Sequence, residues 1–123
     1  MSSHPTMDEL LDAVSGFING IAPQLKDRDA FLARVAVNAL GTVRRDLAEG
    51  HAAETAATAR LAALLGSEGD LRTLNARLCA AIRAGDFDQD EAELMRHLKA
   101  SAIDQVRIDQ PNYSGLKAAE AGG

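Results

Sequence analysis

Four residues carry side chains that bind soft metals or attack electrophiles: His4, His51, Cys79 and His97. A zinc-type site needs such ligands at close spacing, and no two of these lie within 15 residues of each other. They read as scattered histidines and one partly buried thiol. His51 follows Gly50 at an expected helix junction, and His97 has Glu93 one turn before it as an ion-pair partner. Cys79 sits among Leu78, Ala80 and Ala81, a helix interior with no base beside the sulfur. The carboxylates Asp86, Asp88, Asp90, Glu91 and Glu93 begin like a calcium loop, but Glu91 stands at loop position six, where glycine is required, and His97 at position twelve, where glutamate is required. Their simpler role is to place negative charge at the start of a helix. The chain has no glycine-rich phosphate loop and no serine elbow. The expectation is therefore no metal, no cofactor and no independent catalytic activity.

The remaining chemistry belongs to polar residues set beside apolar stripes. Arg34 and Asn38 are one helical turn apart, Asn75 adjoins Leu74, and Arg83 lies near the end of the same helix as Asn75. Boundary asparagines commonly satisfy neighbouring polar groups. The functional alternative is a polar pocket between two helices, with Arg34 and Arg83 holding an anion and Asn38 and Asn75 orienting it. Asp104, Arg107 and Asp109, followed by Pro111 and Tyr113, suggest a salt-bridged terminus that returns onto the bundle. Tyr113 then serves as a lock or as an interface anchor.

Five helices must position these groups. Thr6 and Glu9 form a Thr-x-x-Glu capping box, followed by Leu10, Leu11, Val14, Phe17, Ile18 and Ile21 at helical spacing and an interruption at Asn19-Gly20 and Pro23. A second helix opens at Asp27 or Asp29 and runs to about Glu49, with Gly50 as its stop. Its face is Leu32, Ala36, Leu40, Val43 and Leu47, widened by Phe31, Val35 and Ala39, and Gly41 implies a close helix crossing. The third, about 51–65, turns Ala57, Leu61, Leu64 and Leu65 inward and ends at Gly66. The fourth, 70–84, carries Leu71, Leu74, Leu78 and Ile82 before Gly85. The fifth presents Leu94, Met95, Leu98, Ala102 and Val106 and closes at Pro111. Residues 117–123 read as frayed.

The composition agrees with this reading. The chain has 123 residues, of which 46% are apolar and 25% charged. Its 24 Ala and 15 Leu outnumber the 15 Val, Ile and Thr combined, which favours helix over sheet. The expected fold is all-α: a single domain over 1–123, ordered from about 7 to 116, forming a compact bundle of about five mostly antiparallel helices with short loops. The leucine-lined sides are expected to share one dry interior. An aspartate at Leu78 should then unfold the domain. One cysteine and no export signal or apolar span point to the cytoplasm and away from membranes. The net charge of −5 leaves no basic field for nucleic acid.

Four phrases carry a family resemblance: Arg34-Val35-Ala36-Val37-Asn38-Ala39-Leu40, Leu74-Asn75-Ala76-Arg77-Leu78, Ile82-Arg83-Ala84-Gly85 and Ile108-Asp109-Gln110-Pro111-Asn112-Tyr113. Together they resemble the bacterial domain of unknown function 6285 family, over roughly residues 7–116. The family pattern matches Arg34, Asn38, Asn75, Arg83, Gly85, Pro111 and Tyr113, with Gln110 standing where Asn is expected. The resemblance implies a small helical protein whose gene neighbours encode aminoglycoside-phosphotransferase-like kinases and acyl-CoA dehydrogenases, and it transfers no activity. The leading expectation is a non-catalytic accessory or protein-interaction domain, acting as a homo-oligomer or as partner of such an enzyme. The alternative is a binding module for an anionic metabolite, phosphorylated or CoA-linked.

Overall fold

Thr6 opens the first helix as its spacing predicts. Its hydroxyl accepts from the Glu9 amide at 3.1 Å, and the Glu9 carboxylate accepts from the Thr6 amide at 3.0 Å. These bonds hold the Glu9 carboxyl below its ordinary range. The structure is a computed structural model that describes residues 4–122. Among those residues every regular element is helical: α1 (Met7–Ile21), a 3-10 turn (Ala22–Gln24), α2 (Asp27–Leu65), α3 (Leu71–Arg83), α4 (Ala92–Asp109) and α5 (Leu116–Ala121). The described residues are all-α with five α-helices, although they are not the five that the spacing predicts.

Gly50 does not stop a helix. α2 continues through it for 39 residues, because Ala48, Glu49, Ala52 and Ala53 around it are good helix formers and no capping residue or proline follows to start a new helix. The interruption expected at Asn19-Gly20 is also absent, and α1 ends only where Pro23 enters the 3-10 turn. Residues 117–121 belong to α5 rather than to a frayed tail; Gly123 lies outside the described residues. Other ends follow the expected chemistry. Asp70 caps α3 through the Thr73 amide at 2.8 Å. Gly85, at φ 82°, forms the left-handed end of that helix, with the Asp86 amide donating to Ala81 O and its own amide to Ile82 O.

Contacts divide the chain into two compact units, Met1–Ala48 and Glu49–Gly123, with the boundary inside α2. In unit one, the 3-10 turn reverses the chain and α1 runs antiparallel to the first half of α2. Arg44 closes the open end of the pair. Its Nε donates to Asp8 at 2.8 Å, Nη2 to the second Asp8 oxygen at 3.1 Å and Nη1 to Asp12 at 3.0 Å. Leu11, Ser15 and Ile18 of α1 and Ala33, Val37, Leu40 and Arg44 of α2 have the shielded positions of the seam, yet Ala33 is the one buried residue among the described residues of this unit. Two helices cannot enclose an interior, so the shared dry core expected for the whole chain does not form here.

Unit two has the core. Leu61 and Leu74 are fully buried and pack with Leu78 and Leu94, bringing together the end of α2, α3 and the start of α4. Phe87, from the acidic connection, packs against the same cluster. Farther along α4, Ile108 is buried, as is Leu116 of α5. Arg107 ties the two helices, its Nε donating to Glu120 at 2.7 Å while Nη1 reaches Asp104 at 3.3 Å.

Gly41 needs no close helix crossing. A β-carbon there would meet the Arg45 guanidinium at 3.2 Å and no neighbouring helix, and that group is the mobile end of a side chain. Gly41→Ala is therefore expected to raise stability by about 0.5–1 kcal/mol through helix propensity and a less flexible unfolded chain, read as a higher denaturation midpoint in urea.

Candidate functional site

The inward side of α4 differs from the expected one. Leu94, His97 and Ile108 are its buried residues, while Met95 and Leu98, both expected in the stripe, are exposed. His97 is 5% exposed. It does not pair with Glu93: its Nδ1 accepts from Arg60 Nε at 3.1 Å, and Arg60 Nη2 donates to Ser101 Oγ at 3.1 Å. An imidazole that accepts at Nδ1 is neutral and carries its proton on Nε2. Burial first, and the Arg60 charge second, hold its pKa below the ordinary histidine value. The Arg60–His97–Ser101 group was missed in the sequence. The available signal was Arg60 itself, a lone cation beside Ala57, Leu61 and Leu64 on the inward side of α2 that had to find a partner.

Beside this group lies a groove of about 520 Å³, wholly within unit two. α2 supplies Arg60, Ala63 and Leu64; α4 supplies Glu93, Arg96, His97, Lys99, Ala100 and Ile103. Three cations and one carboxylate thus border a floor of aliphatic carbon. Among the described residues no group of three or more His, Cys, Asp or Glu side chains could hold a metal ion, and no helix is long and apolar enough to cross a membrane.

The His97 environment sets a pH window. A histidine whose folded pKa is depressed adds stability that is complete above its unfolded value, near 6.5, and is lost as pH falls through the folded value. His97→Gln keeps an acceptor for Arg60 but does not titrate. Thermal melts should show wild type losing stability relative to His97→Gln between about pH 7 and 5, with no change in the difference above that range. The carboxylates of Asp8, Glu9 and Asp70 are also held low, so their contributions are lost in a separate window, below about pH 4.

The residues singled out in the sequence lie elsewhere. Arg34 and Asn38 are on α2 in unit one, Asn75 and Arg83 on α3 in unit two, and all four are exposed. Cys79 is an exposed thiol, not a partly buried one, and His51 is an exposed residue inside α2. Beyond α4 the chain turns into α5, which Arg107 ties to α4 through Glu120. Asp109 accepts from Gln105 Nε2 at 2.9 Å, and after Pro111 the Tyr113 amide donates to Gln110 O and the Leu116 amide to Tyr113 O. Tyr113 itself is 57% exposed, with its ring so close to Gly115 that a β-carbon there would lie 2.6 Å from it.

Unit one presents a different kind of surface. Met7, Leu10, Val14 and Phe17 are exposed along α1, and Leu32, Val35, Val43 and Leu47 along α2, with Phe31 one turn from Val35. Most of these positions directly precede a seam residue in sequence. In an antiparallel pair, stepping back one residue rotates both helices toward the same side, so Met7, Leu10, Val14 and Phe17 of α1 and Leu32, Val43 and Leu47 of α2 share one apolar face, while Phe31 and Val35, two residues from a seam position, point away from the seam. Arg34 and Asn38 each follow a seam residue and therefore lie on the opposite, polar side.

A family profile described as Domain of unknown function (DUF6285) matches residues 23–113, from the 3-10 turn to Tyr113, leaving α1 and α5 outside the match. No curated protein and no solved structure matches the chain.

Proposed function

The chain belongs to the DUF6285 family, and on that premise we propose that it is a non-catalytic, cytoplasmic interaction protein that assembles with a second copy of itself through unit one. The observation that carries this reading is the continuous apolar face of α1 and α2 in a unit whose described residues bury only Ala33. Large exposed apolar patches mark binding surfaces. Seven large side chains of this face are between 44% and 66% exposed. Together they uncover roughly several hundred Å² of contiguous apolar surface, the scale at which a patch marks an interaction site.

Charge favours a second copy as the occupant. Beyond the pairing of Arg44 with Asp8 and Asp12 inside one chain, α1 offers Glu9 and no Lys or Arg, and the start of α2 offers Arg28. A two-fold arrangement that lays α1 over α2 of the other copy places unlike charges together twice, and the paired hairpins close a four-helix core. Light scattering on the eluting full-length protein should give about twice the 13.0 kDa chain mass. A strict monomer overturns self-association. If that monomer instead captures the phosphotransferase-like kinase or acyl-CoA dehydrogenase implied by the family resemblance, the same face belongs to a partner enzyme.

A further inference from the structure

The groove between α2 and α4 in unit two is unrelated to the apolar face of unit one, and its lining has a chemistry of its own. We infer that it is a binding site for an aliphatic carboxylate, with the head group held by Arg60 and Arg96 and the chain laid on Leu64, Ala100 and Ile103. Three observations carry the inference.

The volume, about 520 Å³, falls within the range of small-molecule sites, and its walls are mostly aliphatic, so the ligand must have an apolar body. The charges on the border are Arg60, Arg96 and Lys99 against Glu93, a balance that attracts an anion and repels an amine. No Phe, Tyr or Trp lines the groove, and its floor is aliphatic carbon from Ala63, Leu64, Ala100 and Ile103. The border carries more positive than negative charge, enough to hold one carboxylate head group between Arg60 and Arg96, whereas inorganic phosphate satisfies the charge but has no apolar body for the aliphatic floor. Arg60 is also held in position: its Nε and Nη2 are engaged by His97 and Ser101, which fixes the guanidinium plane before any ligand arrives and lowers the ordering cost of binding. The inference does not rest on self-association.

The probe is octanoate, titrated calorimetrically into the full-length protein, with acetate, octylamine and inorganic phosphate as comparisons. Octanoate should bind one saturable site per chain with a Kd at or below about 1 mM, and should shift the His97 imidazole resonances. Acetate lacks the chain and phosphate lacks the apolar body, so each should bind at least about tenfold more weakly, and octylamine should not bind. Arg96→Ala removes an exposed cation and should weaken octanoate at least about tenfold. Ala100→Trp fills the groove and should abolish binding. Both variants should melt like wild type, and a less bulky Ala100→Leu replaces Ala100→Trp if the latter unfolds. No saturable octanoate binding, binding indifferent to both substitutions, or equal binding of octylamine overturns the inference.

Discussion

Leu78→Asp is expected to abolish the cooperative unfolding of unit two, removing more than about 4 kcal/mol of stability. Leu78 is 4% exposed and packs with Leu61, Leu74 and Leu94, two of which are fully buried. Deleting the side chain alone costs about 2–5 kcal/mol through lost burial and the cavity it leaves. Aspartate adds a carboxylate to a site lined by leucines, with no cation in the cluster to pair with it. The informative control is Leu98→Asp. Leu98 belongs to the apolar stripe that the sequence predicts for α4, yet it is 41% exposed, so its replacement should cost no more than about 1 kcal/mol, mostly helix propensity. Circular dichroism melts of both variants against wild type check the pair. Equal destabilisation would mean that α4 packs with the Met95–Leu98 side inward, and a near-wild-type melt for Leu78→Asp would remove α3 from the core.

The contrast between Leu78 and Leu98 locates the boundary of what the sequence discloses. Helix ends were legible where a single residue type determines them. Thr6 and Asp70 cap through their own oxygens, and Gly85 takes a backbone conformation that other residues resist. In the α3 stripe Leu71, Leu74 and Leu78 were legible because they have no competing apolar side, whereas Ile82, expected in the same stripe, lies at the end of the helix beyond the core cluster and is 42% exposed. α4 has two helical sets starting from Leu94, one through Met95 and Leu98 and one through His97 and Ser101. Hydrophobicity chooses the first. The fold chose the second because Arg60, already turned inward on α2, supplies the polar partners that make a buried histidine tolerable. Gly50 misled for a similar reason: its local cost of about 1 kcal/mol is small beside the uninterrupted helix formers on both sides. The polar cluster Arg34, Asn38, Asn75 and Arg83 was read from adjacency to stripes. Adjacency does not reveal which side of a stripe faces water, and all four residues face it.

Phe17→Lys is expected to dissociate the self-assembled form by at least about 100-fold in Kd, a loss of some 3 kcal/mol. Phe17 is 66% exposed within one chain, so nothing in the isolated hairpin depends on it, and lysine is an acceptable helix residue. At a two-copy interface the same position lies in the apolar face. Losing the ring forfeits about 1.5–3 kcal/mol of burial, and a lysine forced between apolar walls adds the cost of desolvating an unpaired charge. Sedimentation equilibrium should show wild type near twice the chain mass and Phe17→Lys near the single mass at the same concentration. Arg34→Ala, on the polar side of the same hairpin, should leave the assembly intact. A second readout separates dissociation from simple unfolding. The described residues of unit one bury only Ala33, so wild type should lose helicity as dilution dissociates it, and Phe17→Lys should show that lower helicity at every concentration while retaining the melt of unit two. If Phe17→Lys keeps the assembled mass, or if Arg34→Ala dissociates it equally, the apolar face is not where two copies meet.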